Sequence, residues 1–214
     1  MRFNEDIHQK VQERIHEKGA KSSPLYLRAT DFSVFSSQLN EGSEILYASP
    51  APAYTEAANY IFHKEYEKAI EICLTLLDEC YKVDIEHDYI AMVHINLMDA
   101  YFKARHTNAT YFDLSTHHAK QAMIYGHNTG YAAERLAINL DKENKINQAI
   151  QVCDMIIDSS FILDKNGCRT IEDFEKRKRR LLNKNLKVKD INTDRLFTDE
   201  ELEKACENSE KGLW

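Results

Sequence analysis

A stretch of this chain occurs twice. Ala53 to Asp78, ending EYEKAIEICLTLLD, returns eighty residues later as Ala133 to Asp158, ending KINQAIQVCDMIID. Aligned without gaps, the copies share Ala53/Ala133, Ala57/Ala137, Asn59/Asn139, Ala69/Ala149, Ile70/Ile150, Cys73/Cys153 and Asp78/Asp158. Ile72/Val152, Leu76/Ile156 and Leu77/Ile157 exchange like for like. A repeat at fixed offset constrains the fold strongly, because each copy must bury the same stripe against the same kind of neighbour. Small residues at Ala57 and Ala69 let two antiparallel helices approach closely, with Tyr60, Ile70, Cys73 and Leu77 filling the space beside them. With six glycines and three prolines in 214 residues, the chain is predicted to be all-helical.

The pattern resembles the tetratricopeptide repeat. Ala57, Tyr60, Tyr66, Ala69 and Leu76 stand where that family carries small, aromatic and aliphatic residues, and Ala133, Ala137, Leu140, Ile146, Ala149 and Ile156 do so in the later copy. The family period is roughly 34 residues, so an offset of eighty leaves twelve beyond two units. A middle unit takes them up, with a first helix over 92–103, a second over 114–125 ending at Gly126, and surplus residues in the 83–88 and 105–113 connections. The family's helix-ending proline is absent from both good copies. Asp78 and Asp158 stand there instead, predicting helices longer than the family's. The resemblance implies an α-α superhelix of three irregular units over 50–160.

Outside the array, Asn4 opens a predicted helix to about Lys18 with Phe3, Ile7, Val11 and Ile15 on one face, and a second runs from Asp31 to about Asn40. These make 1–49 an N-terminal pair that packs on or caps the array. Over 161–214, Thr170 with Asp173 and Thr198 with Glu201 are capping-box patterns, predicting a basic capping helix and an acidic C-terminal helix. Both can cover the array's last exposed stripe.

The net charge of −7 is unevenly spread. Residues 53–164 hold nine basic and seventeen acidic side chains, whereas 165–190 hold ten and four. An acidic body argues against bulk nucleic-acid binding, which depends on basic groups displacing counterions from phosphates. The run Lys176, Arg177, Lys178, Arg179 and Arg180 is the one patch for an acidic partner or a nucleic acid, though no aromatic residues alternate with it to stack bases. Its alternative reading is a solvated helix face, or an internal partner for the acidic body.

No catalytic motif, glycine-rich phosphate loop or HExxH is present, so a non-enzymatic protein without metal or cofactor is expected. Asp113 with His117, and Asp84 with Asp88, have helical spacing but no second pair to complete a metal site. The opening MRFNEDIHQK has no apolar core of a signal peptide, and no stretch is apolar enough for a membrane span. Five cysteines without a CxxC pair predict reduced, mostly buried thiols. Together these predict a soluble, cytoplasmic chain without membrane partners.

In the tetratricopeptide family, first helices line a concave surface that binds a peptide or helix. The resemblance therefore implies a groove offering Tyr54 and Phe62 from the first unit, Asn96, Asp99, Phe102 and Lys103 from the second, and Arg135 and Lys142 from the third, with Glu134 and Asp141 beside them. Asp99 and Asp141 would oppose a C-terminal carboxylate, so that specialised ligand is not expected. A self-associating structural protein, forming a homo-oligomer, and a regulator contacting nucleic acid through 176–189 are the alternatives.

Overall fold

The computed structural model describes residues 51–82, 87–158, 161–190 and 193–211, and the side chains of 51–55, 78–82, 87 and 88 are not among those described. The predicted N-terminal pair, Asp84, the Leu213-Trp214 tail and the side chains of Tyr54, Cys80 and Asp88 lie outside them. The described chain is all-α. Its helices are α1 (Ala51–Phe62), α2 (Tyr66–Lys82), α3 (His87–Ala104), α4 (Tyr111–Ile124), α5 (Tyr131–Lys142), α6 (Ile146–Asp158), α7 (Ile171–Val188) and α8 (Asp199–Glu210). They fall into two compact units divided between Lys103 and Ala104. That division separates the two helices of the middle unit predicted from the sequence. Among the described residues no helix is long and apolar enough to cross a membrane.

In the first unit α1 packs against α2. Pro52 sits in the first turn of α1, where a missing backbone N–H costs no helical hydrogen bond. Ala57 and Ala69 are fully buried, as the close approach requires, with Ile61, Ile70, Cys73 and Leu76 around them. Helix α2 continues four residues past Asp78 to Lys82, as the missing proline predicts, and α6 is described as far as Asp158. Helix α3 begins at His87, earlier than the expected Met92, and is apolar almost all round. Val93, His94, Leu97, Met98, Ala100 and Tyr101 are all buried, while Met92, Asp99 and Phe102 are half-buried along one side.

The second unit is built on the later copy. Helix α5 packs on α6, α4 on α5, α7 on α6, and α8 on α4. Ala133, Leu136, Ala137, Leu140, Ile146, Ala149, Val152, Cys153 and Ile156 form its interior. Each large aliphatic group among them contributes about 1.5–3 kcal/mol relative to exposure. Both predicted capping boxes form. Thr170 N donates to Asp173 Oδ2 at 2.9 Å while Asp173 N donates to Thr170 Oγ1 at 3.4 Å, and Thr198 and Glu201 make the same exchange at 2.9 and 3.1 Å.

The C-terminal helices take different places. Helix α7 packs on α6, but α8 turns back onto α4. Lys120 Nζ lies 2.8 Å from a Glu201 carboxylate oxygen, and Asn208 Nδ2 donates to the Ile124 carbonyl at 2.9 Å. The strap between α7 and α8 crosses α6. Asp190 Oδ2 accepts from Asn147 N at 2.9 Å, capping the N-terminus of α6 where a negative charge is favoured. Further along, Leu196 N donates to Gln151 Oε1 at 2.8 Å.

Candidate functional site

The candidate groove residues have unlike environments. On α1, Phe62 is 80% exposed, its ring edge-on to His63 with centroids 5.3 Å apart, and Ala58 is exposed as well. On α3, Asn96 is only 7% exposed, and its neighbour Ile95 is also buried. Asn96 therefore belongs to the interior rather than to an open binding face, a correction to the sequence expectation. The accessible side of α3 is narrow, running through Met92, Asp99 and Phe102 to Lys103, and Asn96 lies off it beside the buried Ile95 and Leu97. Asp99 and Phe102 are half-buried, and Lys103 is exposed in the last turn of the helix, where a cation complements the helix dipole.

On α5, Arg135 is half-buried and Lys142 exposed. Their acidic neighbours are already engaged. Glu134 holds two guanidinium groups, Arg169 Nη2 at 2.6 Å and Arg177 Nη2 at 2.6 Å. The Glu134 carboxylate beside it raises the Arg169 pKa above its ordinary value. Asp141 Oδ1 receives Lys184 Nζ at 2.6 Å, while Arg180 stands 3.5 Å from the other oxygen.

The basic run is largely spent on the body's own acids. Arg177 faces Glu134. Lys178 Nζ lies 2.7 Å from Asp154 Oδ1 and 3.6 Å from Asp158 Oδ2. Lys176 pairs with Glu172 one turn back at 2.9 Å. Arg179 is exposed and makes no ion pair with a described residue. The helical repeat explains this division, because residues 177 and 178 project toward the packed side and 179 away from it. The sequence shows the run but not which acids lie across from it, since Glu134 and Asp141 are about forty residues away.

Two histidines, one on α4 and one in the turn after it, are buried. His118 is buried, and its ring meets His117 edge-on at 5.0 Å. Burial, with His117 beside it, lowers its pKa to about 3. His127, in the turn after α4, is lowered to about 4 by burial. Both are neutral packing groups at physiological pH. Cys73 and Cys153 are fully buried at matching positions, and burial pushes their thiols up to about 12 and about 11, far from the thiolate form a nucleophile needs. Among the described residues no three His, Cys, Asp or Glu side chains gather as a metal site. Asp113 and His117 are both exposed.

A shallow cleft of about 300 Å³ opens between α6, the strap and α8, with Met155, Phe197 and Leu202 as its apolar lining and Asp154, Asp158 and Arg195 at its edge. The strap that forms one wall is fixed by Gln151, which also donates to the Asp194 carbonyl at 3.1 Å. No family model, curated protein or solved structure matches the chain.

Proposed function

We propose that this chain is a non-enzymatic interaction protein of tetratricopeptide-like architecture, binding a peptide or helix of another protein with the first helices of its hairpins. The observation that supports this reading best is the like construction of the two copies. Their hairpins bury the same alanines and cysteines at 57, 69, 73 and at 137, 149, 153, while their surface positions diverge, as at Phe62 and Lys142. A scaffold repeated inside and varied outside suits recognition of an irregular partner better than catalysis, which needs convergent reactive groups.

Taken unit by unit, the first offers such a partner Phe62, Phe102 and Lys103, and the second offers Arg135 and Lys142. Large exposed aromatic groups contribute most to protein interfaces, so Phe62 is the leading anchor. The nucleic-acid reading of 176–180 is weaker, because Arg177, Lys178 and Arg180 face carboxylates of the body.

Capture from a lysate of source cells, comparing the natural chain with a Phe62→Asp, Phe102→Asp double substitution, tests the proposal. Loss of specific partners from the variant, at unchanged helix content, is the expected result. Recovery of the same partners by both would refute it.

A further inference from the structure

We infer that the last three turns of α7 are a peripheral contact for an anionic bilayer surface. From Lys176 to Lys189 the chain carries eight basic residues and no acidic one. The helical repeat divides them. Arg177, Lys178 and Lys184 lie to the side of the buried Phe174 and Leu181 and reach Glu134, Asp154 and Asp141. Arg179 and Lys187 point about 160° and 120° away from Leu181. Both are exposed, as is Lys189 just past the helix, and none of the three makes an ion pair with a described residue.

The apolar residues reach the same cations. Leu182 and Leu186 continue the buried face of Phe174 and Leu181 round toward solvent, at about 100° and 140° from Leu181. They are 46% and 79% exposed. Helix α7 therefore has one broad apolar face, whose inner part packs toward α6 and whose outer edge is open. Arg179 stands one turn before Leu182 on that edge, and Lys187 and Lys189 flank Leu186. The helix's acids, Glu172, Asp173 and Glu175, lie at its other end. Glu175 shares the side of Leu182 but stands about 10 Å before it and about 16 Å before Leu186 along the axis, so the contact is made by the C-terminal end.

The dimensions and charge of the patch choose its occupant. Leu182 and Leu186 span a single turn, and the next exposed apolar residue on their side, Ile171, is about 16 Å away beyond Glu175. That is too short a row for a partner helix, which needs anchors over two or more turns. A second copy would bring like charges together at Arg179 and Lys187. A nucleic acid has no counterpart for outward leucines, and no aromatic residue lies within 176–189 to stack on a base. A bilayer with anionic headgroups answers both features. The leucines enter the acyl boundary, while the long stems of Arg179 and Lys187 keep their charges among the phosphates. The acids that α7 faces are already paired on its inner side. A surface contact needs no apolar span, and the sequence expectation of no membrane partner weighs spans alone.

The test floats the full chain with vesicles of phosphatidylcholine alone and of phosphatidylcholine mixed with phosphatidylserine. Binding is expected to be at least about tenfold stronger with phosphatidylserine present, and to weaken as salt is raised. Arg179→Glu with Lys187→Glu is expected to weaken it at least about tenfold, whereas Arg179→Lys with Lys187→Arg is expected to bind as the natural chain does. Leu182→Ser with Leu186→Ser is expected to weaken it at least about tenfold, with circular dichroism and thermal midpoint unchanged. The Phe62→Asp, Phe102→Asp variant is expected to float as the natural chain does, which separates this surface from the one proposed above.

No flotation with phosphatidylserine, equal flotation with both vesicle types, or full retention by either weakening variant would overturn the inference. Binding of polyglutamate or single-stranded RNA that needs Arg179 and Lys187, with none to vesicles, would assign the patch to an acidic macromolecule and overturn it too. A dimer in sedimentation that the leucine substitutions dissolve would give the face to a second copy instead. A lowered thermal midpoint of the leucine variant would mean that the chain's own segments cover Leu182 and Leu186, and would equally overturn it.

Discussion

Lys64 and Asn144, eighty residues apart, hold the same left-handed backbone conformation, with φ of 64° and 58°. The bonds around them match as well. Lys64 N donates to the Ile61 carbonyl and Glu65 N to Tyr60 at 3.2 and 2.8 Å, and Asn144 N and Lys145 N donate to Asp141 and Leu140 at 3.3 and 2.9 Å. This is the Schellman arrangement, in which one left-handed residue satisfies the last carbonyls of a helix. Lysine has a Cβ that the left-handed region crowds, whereas asparagine tolerates it better. Lys64→Gly is therefore expected to stabilise the chain by about 0.5–1 kcal/mol, net of glycine's larger unfolded entropy, and Asn144→Gly by less. Urea unfolding midpoints of the two variants check the order.

Glu134 is the junction of α5, α7 and the loop before it, because one carboxylate serves both Arg169 and Arg177. The carboxylate and Arg177 are mostly covered and Arg169 is partly solvated, so screening reduces the pair energies without removing them. Glu134→Ala is expected to destabilise by about 1–2 kcal/mol, less in concentrated salt. Lys176→Ala, which loses an exposed pair to Glu172, is expected to leave the unfolding midpoint unchanged.

Two glycines fix the loop between α4 and α5. Gly126, at φ 89°, would place a Cβ 2.8 Å from the Asn208 carbonyl oxygen of α8, and Gly130, at φ 82°, would place one 2.6 Å from Arg169 Cβ. Neither obstacle is the free end of a flexible side chain. Gly126→Ala and Gly130→Ala are each expected to cost at least about 2 kcal/mol, combining left-handed strain with overlap. Calorimetry would show lowered thermal midpoints for both.

His118 and His127 give the stability a pH dependence. In the unfolded chain these imidazoles take up protons below about 6.5, whereas in the fold they stay neutral until about 3 and about 4. Across that window the unfolded state binds more protons, so stability falls as pH falls, with a limiting slope of about 1.4 kcal/mol per pH unit for each histidine. Above about 6.5 both states are neutral and the contribution is flat. Denaturation midpoints at pH 7.5, 6 and 5 should fall in that order, and His118→Asn with His127→Asn should flatten the decline.

The helices, their caps and the repeated hairpin are legible in the residues because they rest on local chemistry. Thr170 and Thr198 meet partners three positions away, Gly126 ends the helix before it, and Ala57, Ala69, Ala137 and Ala149 mark close approaches within single hairpins. The candidate surface is less legible. Asn96 looks like a groove residue by register, yet it is buried beside Ile95 and Leu97. The basic run looks like a patch for a ligand, yet Glu134, Asp141 and Asp154 neutralise much of it from other helices.

The sequence by itself determined an all-helical chain, its two matched hairpins and the ends of its last two helices, since periodicity and capping act within a few turns. Only the tertiary structure decided that α8 returns to α4 rather than stacking on α7, that the strap caps α6 with Asp190, and that Ile171, Leu182 and Leu186 are left exposed. Those outcomes depend on contacts between residues forty to eighty positions apart, such as Asn208 with Ile124. Local propensity carries no information about distances of that kind.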